Sequence, residues 1–493
     1  GLTGPGGAAL AAPAAWLAEY VPIDFPIGYH STTAPEYCRL LPEGRGNDGW
    51  AGLWPDALIP LEGPVPLAGG ETKTFWFDLD VPADATPGTY AGRVVFRGRE
   101  KEIAAPVTVT VWNFTVPAAK QLPALYDLRN GPGWNIAGGN REEGMRRWCD
   151  FLARYNVSPA LTVDSPAFGL ENGKVTMETA AFDAYASYVL DELKVNALYT
   201  PHDFYACGWA YEPRDFLGFK AFTPEYVQAW TDAYRMFIEH ITGKGWRGKF
   251  VHYLSDEPFE SSEKTITGLA RIADMARSVA PDVPVYSSTW HYIKGLEGHL
   301  TLWGVGLHES FPLEKMRERQ AAGDRFWFTT DGHMCTDTPF LGVERLLPWL
   351  CLKYGVQGYE FWGVSWWTYD PHACGWHKYI RQSNEGHEFY WVRYPNGDGF
   401  LAYPQGEDHA GTPLPTIRLV AAREGVDDYE LFTALRKHAD AGNAEAKAAL
   451  ERVLAAVAMT KPNGRYSTLL MPDPDEIQAA SIQAGETLSK LGG

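Results

Sequence analysis

Basic charge is scarce in this chain. Its 43 Lys and Arg stand against 61 Asp and Glu, for a formal charge of −18. Such a surface repels the phosphate backbone of nucleic acid and anionic membranes alike, so no nucleic-acid partner is expected. Long apolar runs are absent: none approaches the roughly 18–20 residues that span a bilayer, and no membrane insertion is expected. Cysteine is sparse and scattered. Cys38, Cys149, Cys207, Cys335, Cys351 and Cys374 form no CxxC pair, which supports neither a zinc ribbon nor a dense disulfide framework. Cys149 falls on the apolar face of an expected helix and reads as plain core. Missing too are an HExxH, an EF-hand loop, a GxSxG elbow and a Gly-rich fingerprint after the first barrel strand. No cofactor and no metal are expected. No secretory signal is legible, which by itself says little because such signals are removed from mature proteins, and the compartment stays open.

Aromatic side chains are abundant: 19 Trp, 25 Tyr and 23 Phe, 14% of the chain. A large core absorbs most of them. Tryptophans in loops after strands serve differently, as flat apolar walls that suit the C–H faces of sugar rings.

Residues 1–60 are rich in Gly, Ala and Pro, with one short helix expected around Ala14–Tyr20. Phe75, Phe77 and Leu79 then alternate with Trp76 and Asp78, and Val107, Val109 and Val111 with Thr108 and Thr110, around turns rich in Pro and Gly. Period-two patterns at this spacing predict a β-sandwich, with Val116–Lys120 as the linker out of it. Beyond it, short apolar strands alternate with amphipathic helices. The strands fall at Leu122–Leu128, Pro159–Val163, Asn196–His202, Phe250–Leu254, Val283–Ser288, Leu300–Val305, Arg325–Thr330 and Gly358–Trp362. Eight strand–helix repeats fit a (β/α)8 TIM-like barrel, with a doubly wound sheet as the competitor. Two helices, near Ala444–Met459 and Asp473–Leu491, follow. The expected architecture is multidomain α/β: an N-terminal segment and β-sandwich over 1–118, a (β/α)8 catalytic barrel over 119–436, and C-terminal helices over 437–493.

In a barrel, side chains just past the C-terminal ends of the strands converge on the face that holds the active site. Here those ends carry Asp127 and Arg129, His202 and Asp203, Asp256 and Glu257, then Ser288, Trp290 and His291. His308 and Glu309, Asp331 and His333, and Glu360, Trp362, Trp366, Trp367, Tyr369 and Asp370 complete them. His202, His291, His308 and His333 read as separate substrate-contacting or structural groups rather than a metal cluster. The stretch Tyr253-Leu254-Ser255-Asp256-Glu257-Pro258 organises the rest. Pro258 stops the strand, and two acids at a buried strand end are either paired off or used. A salt-bridged strand end is the bland reading. Acids and tryptophans together on a barrel face point instead to glycoside hydrolysis.

Two mechanisms are open. A retaining enzyme with two carboxylates about 5 Å apart across the bond requires a distant partner for Glu257, such as Glu360 or Glu309. In a substrate-assisted enzyme the sugar's own 2-acetamido oxygen attacks the anomeric carbon. One acid protonates the leaving oxygen, and the adjacent Asp orients the acetamido N–H. Neighbouring acids suit the second mechanism, because their targets are neighbouring atoms of one sugar.

Three motifs carry a family resemblance. Tyr253–Pro258 resembles the fourth-strand signature of the bacterial proteins grouped as domain of unknown function 4091. Gly411-Thr412-Pro413, Ile417-Arg418-Leu419 and Glu424-Gly425-Val426-Asp427-Asp428-Tyr429-Glu430-Leu431 resemble their C-terminal signature. Thr86–Gly92 is similar to their sandwich turn. That group is similar to glycoside hydrolase family 123, β-N-acetylgalactosaminidases with a sandwich before a barrel and an Asp-Glu pair for substrate assistance. The resemblance implies that Asp256 orients and stabilises the acetamido group and that Glu257 is the general acid/base. Candidate sugar contacts, taken from strand ends, are His202, Trp290, His291, Trp362, Trp366, Tyr253 and Asp331, although Tyr253 also fits the barrel wall. The expected partner is a β-linked amino-sugar glycan or glycoconjugate, homo-oligomerisation is left open, and a secreted or periplasmic bacterial setting is favoured. The expected activity is retaining release of terminal β-linked N-acetylgalactosamine. The rivals are a glycosidase of other specificity with two separated carboxylates, and a non-catalytic carbohydrate-binding protein.

Overall fold

The computed structural model describes residues 1–23, 52–128, 141–160, 164–307, 310–330, 336, 342–367, 371–372, 378–381, 390–393, 396–405, 411–459 and 473–492. Seven strands open the chain: β1 (Leu2–Thr3), β2 (Ala9–Leu10), β3 (Ala14–Ile23), β4 (Gly52–Pro60), β5 (Thr74–Asp78), β6 (Gly88–Arg97) and β7 (Glu102–Val111). They make two antiparallel sheets, β2-β1-β6-β7 and β4-β3-β5. The period-two segments are β5 and β7. The helix expected around Ala14–Tyr20 is instead part of β3. Alanine favours a helix only weakly, and β3 is paired along both edges, with Leu17 between Ile59 and Phe75. Two backbone ladders override so small a local preference.

The parallel strands come next. β8 (Ala124–Tyr126) and β9 (Ser158–Pro159) precede a separate antiparallel hairpin, β10 (Ala167–Glu171) and β11 (Lys174–Glu178), that the sequence did not announce. Then follow β12 (Leu198–Tyr199), a two-residue β13 (Cys207–Gly208), β14 (Phe250–Asp256), β15 (Val285–Trp290), β16 (Leu302–Val305), β17 (Arg325–Thr330) and β18 (Tyr359–Phe361). They pair in the order β12-β14-β15-β16-β17-β18-β8-β9, every pair parallel. The last strand therefore lies beside the first, and the sheet curls. Between its two ends the Tyr199 amide donates to the Ala160 carbonyl at 3.1 Å. The strands differ from expectation mainly at their ends. β8 and β12 are shorter, residues 161–163 of the expected second strand lie outside the described residues, and His202 sits in a 3-10 turn rather than a strand. β14 and β15 run on to Asp256 and Trp290.

Two apolar layers hold this sheet. Inside it, Leu125, Ala160, Tyr199, Val251, Tyr286, Leu302 and Trp327 form one cluster, with Tyr253 packed against it. Outside, the alternate residues Phe250 and Leu254 join the main core, as strand alternation requires. Helices α1 (Arg141–Arg154), α2 (Ala180–Ser187), α3 (Pro224–Gly243), α4 (Glu263–Val279), α5 (Leu313–Ala321), α6 (Gly342–Tyr354) and α7 (Ile417–Asp440) supply the outer layer. The start of α3 follows its sequence: Thr223 accepts from the Tyr226 amide at 3.3 Å and Pro224 takes the first helical position, as caps do. Its stripe Tyr226, Trp230, Tyr234, Phe237 and Ile241 is buried. Cys149 is core, its thiol pushed up to about 12 by burial. No helix among the described residues is long and apolar enough to cross a membrane.

Helix α7 ties the N-terminal sheets to the parallel sheet. Arg418 reaches Asp56 of β4 in a fully buried two-pronged pair, Nε to Oδ1 and Nη2 to Oδ2, each 2.9 Å. Tyr403 donates to the same carboxylate at 2.8 Å. Arg423 pairs with Asp78 of β5 at 2.8 and 2.9 Å. The last helices, α8 (Ala444–Ala455) and α9 (Pro474–Leu491), pack on α7. α9 also reaches the N-terminal part: Ser489 accepts from the Asn113 amide at 2.9 Å.

Candidate functional site

β14 carries the acid pair, and a register shift against β15 between Tyr253 and Ser255 sets its aim. Strict alternation would turn Tyr253 and Asp256 to opposite faces. The bulge breaks that alternation, as bulges beside functional sites do, and the Asp256 carboxylate meets the Tyr253 hydroxyl. Two hydroxyls donate to Asp256 Oδ1: Ser288 at 2.7 Å and Tyr253 at 3.1 Å. Tyr253 is itself fixed, stacked on Tyr199 with ring centroids 4.5 Å apart and packed on Tyr286 at 5.5 Å. Below the pair, Ser255 and Ser287 hydrogen bond across the two strands at 2.7 Å.

Glu257 follows with φ at 41°, a left-handed backbone that is costly for a residue with a side chain and concentrates at functional sites. Its amide donates to the Ser288 carbonyl at 3.0 Å, which holds the turn. Its Oε2 accepts from the Trp209 indole at 3.3 Å. Trp209 belongs to the segment after β12, and β13 adds to the end of β14 with Gly208 opposite Asp256. A Cβ on Gly208 would stand 2.8 Å from the Asp256 carbonyl and 2.9 Å from the Tyr205 hydroxyl, so the close approach requires glycine.

The other sequence-derived candidates take several places. His202 is exposed; its Nε2 lies 2.9 Å from Arg214, and its ring stacks on Tyr205 at 5.0 Å. Tyr205 in turn meets Tyr253 edge-on at 5.3 Å, which joins His202 to the acids by contact. Trp290 ends β15 with φ at 59°, two residues beyond Ser288, and its carbonyl accepts from the Ser310 hydroxyl at 2.6 Å. His291 follows it, half-buried. Trp362 and Trp366 pair edge-to-face at 4.7 Å past β18, and the Trp362 indole donates to Asp398 at 3.0 Å. Trp367 is buried core with its indole on the Ala402 carbonyl. Asp331, Arg129, His308, Glu309, His333, Tyr369 and Asp370 lie outside the described residues. Glu360, on β18, is buried; its Oε1 accepts from Tyr286 at 3.2 Å and from Thr329. Sequence reasoning missed Trp209 and Tyr205. The one signal for them was the aromatic run Phe204–Tyr211 directly after a strand.

The arrangement offers an acid held by neutral hydroxyls next to an acid under an indole, on an aromatic-lined strand end. Such a site can bind a sugar and move a proton. Comparison with known proteins narrows the reading. Residues 172–435 match the model of the glycoside hydrolase 123 catalytic domain. Among solved structures, a family 123 glycoside hydrolase from Clostridium perfringens, described for glycolipid glycan hydrolysis, aligns with a TM-score of 0.67 at 14% identity. That alignment covers 100% of this chain and 88% of the other. An endo-β-1,4-mannanase from Thermotoga petrophila aligns at 10% identity with a TM-score of 0.36, over 64% of this chain and 77% of that one. A β-D-glucuronidase from Dictyoglomus thermophilum aligns at 9% and 0.36, over 72% and 60%. The last two scores are too low to carry an argument. No curated protein matches the chain.

Proposed function

Because the chain belongs to glycoside hydrolase family 123, we propose that this glycoside hydrolase releases terminal β-linked N-acetylgalactosamine with retention, by substrate assistance. We read the curled parallel sheet as a (β/α)8 barrel over 119–436, the N-terminal sheets as a β-sandwich within 1–118, and 437–493 as packing helices. The observation that carries the proposal is the fixing of Asp256. Among the described residues both donors to Asp256 take Oδ1, and in our reading Oδ2 receives the acetamido N–H of a bound sugar. That hydrogen bond orients the acetamido oxygen towards the anomeric carbon. The carboxylate charge then offsets the positive charge that develops as the oxazoline forms. Glu257, one residue on, protonates the leaving oxygen and afterwards takes a proton from water. Trp290, His291, Trp362, Trp366, Tyr253, His202 and Asp331 are the proposed sugar-contacting set, with Tyr253 acting on Asp256 as well.

A two-sided mechanism has Glu360 or Glu309 as the distant partner of Glu257, and of these Glu360 lies among the described residues. The two hydroxyls on Glu360 Oε1 support a place in the barrel wall. The galacto configuration follows the family resemblance, and the glycan hydrolysis described for the Clostridium perfringens protein supports a glycan substrate. A panel of aryl β-glycosides with a thiazoline inhibitor, which mimics the oxazoline, tests the proposal. The expected result is faster turnover of the N-acetylgalactosaminide than of the N-acetylglucosaminide or galactoside, with competitive thiazoline inhibition. Galactoside turnover without thiazoline inhibition sinks the mechanism, and no turnover of any glycoside sinks the activity.

A further inference from the structure

Past the acid pair, three large rings are left in solvent. Trp209 is 40% exposed, Tyr211 57% and Phe259 50%. A single exposed aromatic calls for no explanation, but these three belong to one rigid corner. The Trp209 amide donates to the Asp256 carbonyl and the Trp209 carbonyl accepts from the Phe259 amide, both at 3.0 Å. The Tyr211 amide donates to Gly208 at 3.1 Å, and its carbonyl accepts from Thr265 of α4 at 3.1 Å. Trp209 is held at φ 51°, a strained conformation that the surrounding hydrogen bonds maintain. The Trp209 and Tyr211 rings stand 6.1 Å apart. The corner is thus a fixed aromatic platform, and its first ring hydrogen bonds to Glu257.

We infer that Trp209, Tyr211 and Phe259 form the subsite for the leaving-group sugar, binding the C–H face of the hexopyranose to which the terminal residue is linked. The inference rests on the reading that Glu257 protonates the leaving oxygen: whatever lies beyond Glu257 on that side meets the aglycone. The chemistry favours a sugar over a lipid chain. A pyranose has one apolar face and a hydroxyl rim, and amphipathic Trp and Tyr rings match that combination. The ion pair of Glu212 with Lys264, both exposed, borders the Tyr211 segment and supplies polar partners that an acyl chain cannot use.

Tyr211→Ala and Phe259→Ala, alone and combined, test this with Trp209 left intact because it touches Glu257. Two readouts are compared: kcat/KM on a disaccharide with β-linked N-acetylgalactosamine on a hexose, and the Ki of the thiazoline, which fills only the terminal-sugar subsite. Each single variant should lower the disaccharide kcat/KM by about three- to tenfold and the pair by more, with Ki unchanged, while Tyr211→Phe stays near wild type. An unchanged disaccharide kcat/KM in the double variant overturns the inference. So does a loss matched by the thiazoline, or one seen with a ceramide-linked substrate and not with the disaccharide. A wild-type protein that neither cleaves the disaccharide nor binds thiazoline marks a failure of the activity itself, a result distinct from these.

Discussion

Asp427 and Asp428 on α7 are adjacent acids, just as Asp256 and Glu257 are, and both pairs lie in motifs shared with the family resemblance. On α7 the acids meet cations. Asp427 accepts from Lys120 at 2.6 Å and Asn156 at 3.1 Å. Asp428 accepts from Arg345 at 2.8 Å, Trp349 at 3.0 Å and Ser481 at 2.9 Å. Two residues on, Glu430 takes the backbone and side-chain N–H groups of Gln121, each at 2.6 Å. At the end of β14, Asp256 accepts from neutral hydroxyls among the described residues, and Glu257 accepts from an exposed indole. The backbone differs too, regular helix against a left-handed turn. Adjacent acids are therefore no signal by themselves. A pair neutralised by guanidinium and ammonium builds the fold. The pair at the strand end, with neutral hydroxyls on Asp256, is the one we propose to hold its charge for a ligand.

Removing a cation from the structural region should have the largest effect. Arg418→Met leaves Asp56 buried and unpaired, and breaking such a pair costs about 3–5 kcal/mol. Denaturant unfolding should show that loss while kcat per folded molecule holds. Unchanged stability would place Arg418 outside the structural set. The reverse pattern is expected at the site. Asp256→Asn and Glu257→Gln should each lower kcat/KM on an aryl N-acetylgalactosaminide by about 10²-fold or more, with stability changed by no more than about 0.5 kcal/mol. Wild-type turnover in both variants would remove the acids from the reaction.

Much of this contrast was legible in the residues. The eight expected parallel strands and the buried stripe of α3 follow from apolar periodicity, which strong burial enforces, and the Thr223 cap follows from its Thr-Pro pair. Ala14–Tyr20 is part of β3 rather than a helix, because pairing partners 35 or more residues away decide it. The strand-end rule reached Asp256, Glu257 and Ser288. It did not reveal that Tyr253 acts on Asp256, since a one-residue bulge leaves no mark in composition. It also admitted Trp367, which is core, and passed over Trp209, which arrives through a two-residue strand too short to have a period. The C-terminal signature Glu424–Leu431 is legible as a motif, but its role as a tie between layers depends on partners far away in the chain, Lys120, Gln121 and Arg345.

A smaller effect separates the two faces of β14 by pH. His252 points away from the acids, against Trp230 and Tyr234 of α3, and both its ring nitrogens are buried with no hydrogen-bond partner among the described residues. Burial lowers its pKa to about 3, so the unfolded chain gains a proton that the native state refuses. Stability is present above about pH 6.5 and falls as pH drops towards 3, by up to about 1.4 kcal/mol per pH unit. Glu344 on α6 acts in the opposite sense: burial raises its carboxyl to about 8. Its contribution is complete below about pH 4.5 and is lost as pH rises through 8. Urea midpoints measured against pH should lose their acid limb in His252→Leu and their alkaline limb in Glu344→Gln. Unaltered limbs would assign the pH dependence to other groups.

The smallest effect tests the neutral partners themselves. Tyr253→Phe and Ser288→Ala each remove one donor from Asp256 Oδ1. If these hydroxyls only fill space, kcat and KM stay at wild type. If they aim the carboxylate, kcat falls by about three- to tenfold in each, the loss of one ordinary hydrogen bond, while KM changes little. A structural defect imitates that result, so coupling decides it. In an Asp256→Asn background the same substitutions should cost almost nothing further, because there is no longer a charge to aim, and interacting residues are non-additive. Ser288→Thr, which keeps the hydroxyl, should recover most of the rate. Additive losses in the double variants would mean that Tyr253 and Ser288 do not act through the Asp256 charge. The site would then resemble the α7 acids more than it differs from them, with partners that belong to the packing and not to the charge.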